Sequence, residues 1–137
     1  MEEKKVFVIC VVRLADDAMR KKLEAYKQKL EAEGYRVHLP HLDTHQEADG
    51  YEICMQNMKA ILAADEIHIF FNPKSYGTHF DLGVAFLACY LDDTKIIKTI
   101  ENDEARDANS GQKKLLIEKS FGQMISKWEE KQHMHSM

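Results

Sequence analysis

The sequence predicts an α/β fold: an open parallel sheet of four to five strands with helices on both faces. Three observations lead there. Residues 5–12, KVFVICVV, form an unbroken apolar, largely β-branched run, the pattern of a strand covered on both faces. Short runs of this kind alternate with segments of helical period, which calls for right-handed βαβ crossovers. The chain of 137 residues has no internal repeat, low-complexity stretch or linker, so one domain with a substantial core is expected. We place it at residues 1–130 and read 131–137, KQHMHSM, as a disordered tail.

After the first strand, Met19, Leu23, Tyr26 and Leu30 recur at spacings of 4, 3 and 4. This is an amphipathic helix, with Asp16 or Asp17 at its start and Gly34 as its stop signal. YRVHL, residues 35–39, is a short second strand ending at Pro40, and HLDTHQEADG reads as a polar loop. A second helix is expected over 51–64, with Cys54, Met58, Ile61 and Leu62 inward. The third strand takes 67–71, a third helix takes 79–91, and KIIKTI at 95–100 is the fourth strand. Ile117, Phe121, Met124 and Trp128 have helical spacing interrupted by Gly122. They fit one long helix, or a helix, a turn and a fifth strand.

Composition narrows the function classes. A net charge of −4 argues against a non-specific nucleic-acid binder. No apolar run approaches the roughly 20 residues that span a bilayer, and no signal peptide is seen behind MEEKK. Cys10, Cys54 and Cys89 are odd in number and lie in apolar settings, as buried thiols of a cytoplasmic protein do.

In an open parallel sheet, ligands bind beyond the carboxyl ends of the strands, at the topological switch point. The loops to inspect therefore begin near Val12, Pro40, Asn72 and Glu101. The third leads into NPKSYGTHFDLGVAF, residues 72–86. Unpaired backbone N–H groups at a helix start favour an anion, Gly77 admits close approach, and Ser75 and Thr78 add hydroxyls. Asp81 lies among apolar neighbours. It reads either as a reactive carboxylate or as the N3 partner of Thr78 in a capping box. Elsewhere, His38, His41, Asp43 and His45 carry metal-ligand chemistry, but Pro40 breaks their spacing, so a solvated loop is the better reading. His79 reads as neutral and partly packed. Cys10 has no base partner in sequence and reads as a core thiol.

The order NMKAILAADEIHIFF, SYGTHFDLGVAFLA, KIIKTI and KLLIEKSFGQMIS resembles the nucleoside 2-deoxyribosyltransferase family and its nucleotide N-glycosidase relatives. The resemblance spans residues 5–130. It implies a flavodoxin-like or Rossmann-like fold and an enzyme acting on the N-glycosidic bond of a (deoxy)nucleoside or its 5′-monophosphate. Asp81 falls where the family has a nucleophilic Glu that forms a glycosyl-enzyme. Asn57 falls at an acid that recognises the base. Lys114 falls at an Asn supplied by the neighbouring subunit, so a homodimer or higher homo-oligomer is implied. Arg13 and Ser75 fall at phosphate-binding positions, with Tyr76, Gly77 and Thr78 lining the loop, and Cys10 or Val11 replaces a glycine of the pocket floor. The resemblance implies no cofactor and no metal. The alternative is a non-catalytic nucleotide-binding or regulatory module on the same fold.

Overall fold

The computed structural model describes residues 3–72 and 74–100, together with Lys127 and Glu130. Four strands, β1 (Lys5–Ile9), β2 (Arg36–His38), β3 (Glu66–Ile69) and β4 (Ile96–Thr99), form one all-parallel sheet in the order β2-β1-β3-β4. The helices are α1 (Asp17–Ala32), the short α2 (Pro40–Asp43), α3 (Gly50–Ala63) and α4 (Tyr76–Leu91). The fold is thus the α/β open parallel sheet that the strand and helix periods predict.

Side-chain alternation sorts the core into two halves. Val6, Val8, Cys10, Val37, Leu39 and Phe70 pack with Leu23 and Leu30 of α1 on one face. Phe7, Ile9, Ile67, Ile69 and Ile97 pack with Ile61 of α3 and with Leu82, Ala85 and Ala88 of α4 on the other. Both faces of β1 are therefore dry, which is why its sequence does not alternate. Each such large side chain contributes about 1.5–3 kcal/mol by leaving water.

The helix ends follow local chemistry. Asp16 caps α1 by accepting from Met19 N at 2.8 Å. Gly34 adopts φ 98°, and Tyr35 N and Gly34 N donate back to the Leu30 and Glu31 carbonyls. This closes a Schellman turn whose left-handed residue suits glycine. Asp49 caps α3 by accepting from Glu52 N, and the buried Lys95 ammonium donates to the Leu62 and Ala64 carbonyls at the far end of that helix.

On the α1 face, β3 carries two polar residues inside the core. His68 Nε2 lies 2.9 Å from Glu66 Oε1 and His68 Nδ1 lies 2.6 Å from the Tyr26 hydroxyl. Lys98 Nζ stands 3.7 Å from Glu66 Oε1. The His68 hydrogen bond is the main cause holding the Glu66 carboxyl below its ordinary range, whereas burial first and then the Glu66 charge push the Tyr26 phenol up to about 12.

Element bounds differ from expectation in informative ways. β1 ends at Ile9 rather than Val12: Phe70 N still donates to the Ile9 carbonyl, and beyond that bond the chains leave the sheet edge. Residues 40–43 form a turn of helix, not loop, because Pro40 sits at its start and Asp43 Oδ2 accepts from Leu39 N. On α3, Asn57 and Ile61 are buried while Leu62 is 43% exposed. The buried line of α3 runs through Asn57 and Ile61, four residues apart, and Leu62 lies about 100° round from Ile61, at the exposed margin. The expected terminal helix or fifth strand, the tail and Lys114 lie outside the described residues. Among the described residues no helix is long and apolar enough to cross a membrane.

Candidate functional site

The strand order reverses between β1 and β3, and a cavity of about 470 Å³ opens there. Cys10, Val12, Arg13 and Leu14 after β1 form one wall. Lys74, Ser75, Tyr76, Gly77 and Asp81, from the β3–α4 loop and α4, form another. Ile53 and Asn57 of α3 close the third side beside Gln46. This is the crevice that open parallel sheets use for ligands, and its size lies in the usual range for small-molecule sites.

α4 begins three residues earlier than its apolar period predicts. Ser75, not Thr78, is the N-cap: its Oγ accepts from Thr78 N at 3.1 Å. Thr78 therefore stands at N3, and Asp81 sits in the second helical turn, beyond the reach of a capping box. That corrects the structural alternative for Asp81, whose carboxyl does not cap its own helix. An added Cβ at Gly77 would meet only Ser75 Oγ, at 3.9 Å, so packing alone does not require glycine there.

Asp81 is 3% exposed and lines the cavity. The Asn57 side chain donates a hydrogen bond to its carboxyl, whereas Oδ1 is buried without a partner among the described residues. Burial pushes the carboxyl from its ordinary 3.8 up to about 7, and the Asn57 bond opposes that rise. A carboxyl that titrates near neutrality in a cleft is a functional-site candidate.

The remaining residues named from sequence divide as follows. Arg13 is exposed at the rim, its Nη2 donating to the Gln46 carbonyl at 3.4 Å. Asn57 is buried beside Asp81. Ser75 is buried and Tyr76 is 92% exposed at the mouth. Thr78 is fully buried and does not line the cavity, with Oγ1 unpartnered among the described residues. Lys114 lies outside the described residues. His79 is half-buried, donates from Nδ1 to the Ser75 carbonyl at 2.7 Å and packs edge-on against Phe71.

Cys10 is buried on the cavity wall, and desolvation, then the Asp81 charge, push its thiol up to about 12. Such a thiol is no nucleophile at neutral pH. Among the described residues no group of three His, Cys, Asp or Glu could hold a metal. Of the histidine cluster, His38 Nε2 lies 2.7 Å from Thr44 Oγ1, His41 pairs with Glu24, and Asp43 pairs with Lys27.

Two residues of the candidate site escaped the sequence reading. Lys74 brings a second cation to the cavity, signalled only by its place in the loop before α4. Thr44 is buried and donates to Asn57 Oδ1 at 2.6 Å; nothing in the polar run around it marks this contact.

No model of a known protein family matches the chain. No curated protein matches it either.

Proposed function

We propose that the cavity binds a nucleoside or nucleoside 5′-monophosphate and that Asp81 acts on its N-glycosidic bond. The observation that carries the reading is the Asp81 carboxyl, set in the cavity wall at the β1/β3 crossing with one oxygen unpartnered among the described residues and no capping duty. In the proposed reaction an Asp81 oxygen attacks the anomeric carbon as the carbon–nitrogen bond breaks. The base leaves with that bond's electron pair and takes up a proton from solvent water. Water or a second base then displaces Asp81 from the sugar. Arg13 and Lys74 supply positive charge for a 5′-phosphate. The attacking form is the ionised one, so turnover rises as pH increases through about 7.

A second reading, a nucleotide-binding module without catalysis, draws support from the 3% exposure of Asp81. The resembling family has a Glu at this position. Aspartate is one methylene shorter, which leaves the carboxyl recessed, and a displacement of about 1 Å can cost about a hundredfold in rate.

The experiment that separates the two follows base release from a panel of deoxynucleosides and their 5′-monophosphates by chromatography. The enzyme reading expects release by wild type and none by Asp81→Ala. Thermal stabilisation by the same compounds without release from wild type or Asp81→Glu would establish the module instead.

The proposal extends to a homodimer. Phe80, Phe86, Leu87, Tyr90 and Leu91 are exposed on α4, whose only Asp, Glu, Lys or Arg is the buried Asp81. A charge-free apolar face of this kind marks an association surface. Light scattering on a sizing column reads the mass directly, and a monomer at micromolar concentration removes this part of the proposal.

A further inference from the structure

A chain of hydrogen bonds, part-buried at His38 and buried at Thr44, leads toward Asp81 from the end of β2. The His38 ring at the end of β2 stacks on Phe7 with centroids 5.2 Å apart and planes at 18°. Its Nε2 lies 2.7 Å from Thr44 Oγ1. Thr44 Oγ1 in turn donates to Asn57 Oδ1 at 2.6 Å, and the Asn57 side chain donates to Asp81.

Proton counting gives the chain a direction. An amide oxygen only accepts, so the single Thr44 hydroxyl proton is committed to Asn57. The Thr44 oxygen must then accept, and His38 Nε2 must carry the proton. With its oxygen pinned by Thr44, the Asn57 amide has only its NH2 left to turn toward Asp81. The donor at Nε2 is present whether His38 is neutral or charged, so the direction survives titration of His38.

We propose that Thr44, itself oriented by His38, is a positioning residue for Asp81: it locks the Asn57 amide with its N–H on the carboxyl. The lock favours the ionised form, because a carboxylate accepts from that N–H more strongly than a neutral acid does. Without it the amide is free to present its oxygen, which favours the protonated acid. This inference deepens the reading of Asp81 as the acting group and rests on it. The groups that share the cavity with Asp81 are Cys10 at the end of β1, Arg13 after it, Lys74 before α4, and Asn57 on α3. Those that act on His38 are Asp43 and Lys27. A change at Thr44 removes none of them.

The test titrates Asp81 in the free protein, through the 13C shift of aspartate carboxyls, with the resonance assigned by its loss in Asp81→Asn. Wild type and Thr44→Ser are expected to titrate together. Thr44→Val is expected about one pH unit higher, a tenfold gain in proton affinity. His38→Phe keeps a ring on Phe7 but loses the donor, and is expected to move the same way. A Thr44→Val midpoint equal to wild type, or a Thr44→Ser midpoint that follows Val, overturns the proposal; an unmoved His38→Phe overturns the part given to His38. If Thr44→Val does not fold by circular dichroism, Thr44→Cys takes its place. Its thiol fills the site and donates weakly, so its midpoint must rise too, and an unchanged one overturns the proposal. No substrate is needed. Absence of base release alongside these shifts would sink the proposed reaction and leave this inference standing.

Discussion

The Asn57 side chain of α3 donates to the Asp81 carboxyl of α4, yet burial outweighs that bond and leaves the acid titrating near 7. Protonation is thereby linked to stability. Below pH 3.8 the folded and unfolded carboxyls both hold a proton, and between 3.8 and about 7 only the folded one does. Stability therefore falls as pH rises through that window, by at most about 1.4 kcal/mol per pH unit. It changes no further, on this account, above the folded value. Asp81→Asn removes the dependence. Its melting temperature is expected to gain on wild type by about 5 °C or more between pH 4 and pH 8. A constant difference across that range would mean that the folded state does not hold the proton.

Thiol reactivity follows from the same neighbourhood. Cys10 and Cys89 are buried, whereas Cys54 is partly exposed. With its thiol pushed up to about 12, Cys10 is almost wholly protonated at pH 8. A disulfide reagent added to the native protein is expected to titrate Cys54 first, and Cys54→Ser should remove the fast phase. Loss of that phase in Cys10→Ser instead would show the cavity thiol to be the reactive one.

Arg13 and Lys74 should discriminate ligands by phosphate. Arg13→Ala and Lys74→Ala are each expected to weaken a deoxynucleoside monophosphate by about tenfold, the worth of one charge-assisted hydrogen bond. The parent nucleoside should be almost unaffected. Calorimetry on both ligands makes the comparison, and an equal loss for the two would assign these cations to some other role.

Inside the α1 face, a neutral His68 ring that donates from Nε2 to Glu66 leaves Nδ1 to accept from the Tyr26 hydroxyl. Tyr26→Phe leaves a buried ring nitrogen with no donor. That costs about 1–3 kcal/mol, readable by urea unfolding. A loss well under 0.5 kcal/mol would show that water replaces the phenol there.

The alternation of strand and helix was legible because each strand between two covering layers must be apolar throughout, as KVFVI is. That Asp81 stands near a ligand loop was legible from the topology, although the helix start was misplaced around it. The surroundings of Asp81 were not. Asn57 meets Asp81 from α3, with Thr44 and then His38 behind it on other segments, and no local period encodes contacts between them. The helix start was misplaced for a local reason. Apolar period first shows at His79, whereas the cap is set by Ser75 three residues ahead of Thr78, a pairing of two hydroxyl residues that carries less signal than Ser with Glu. Glu66 and His68 break the apolar pattern of β3 because Tyr26 and Lys98, far away in sequence, satisfy them.

The strand order also sets a timetable for synthesis. β1 is made first and lies inside the sheet, with Lys5 opposite Arg36 on one side and Val6 opposite Glu66 on the other. The first pairing becomes possible once β2 has emerged. The second spans 60 residues, as the bond from Lys5 N to Asp65 also does, and at about 5–20 residues per second it waits roughly 3–12 s. Through that interval KVFVI keeps one hydrogen-bonding edge open beside its apolar faces, the combination most prone to pairing with another chain. The nascent protein thus passes its most vulnerable moment while α2 and α3 are being made, before β3 arrives to close the sheet and frame the cavity.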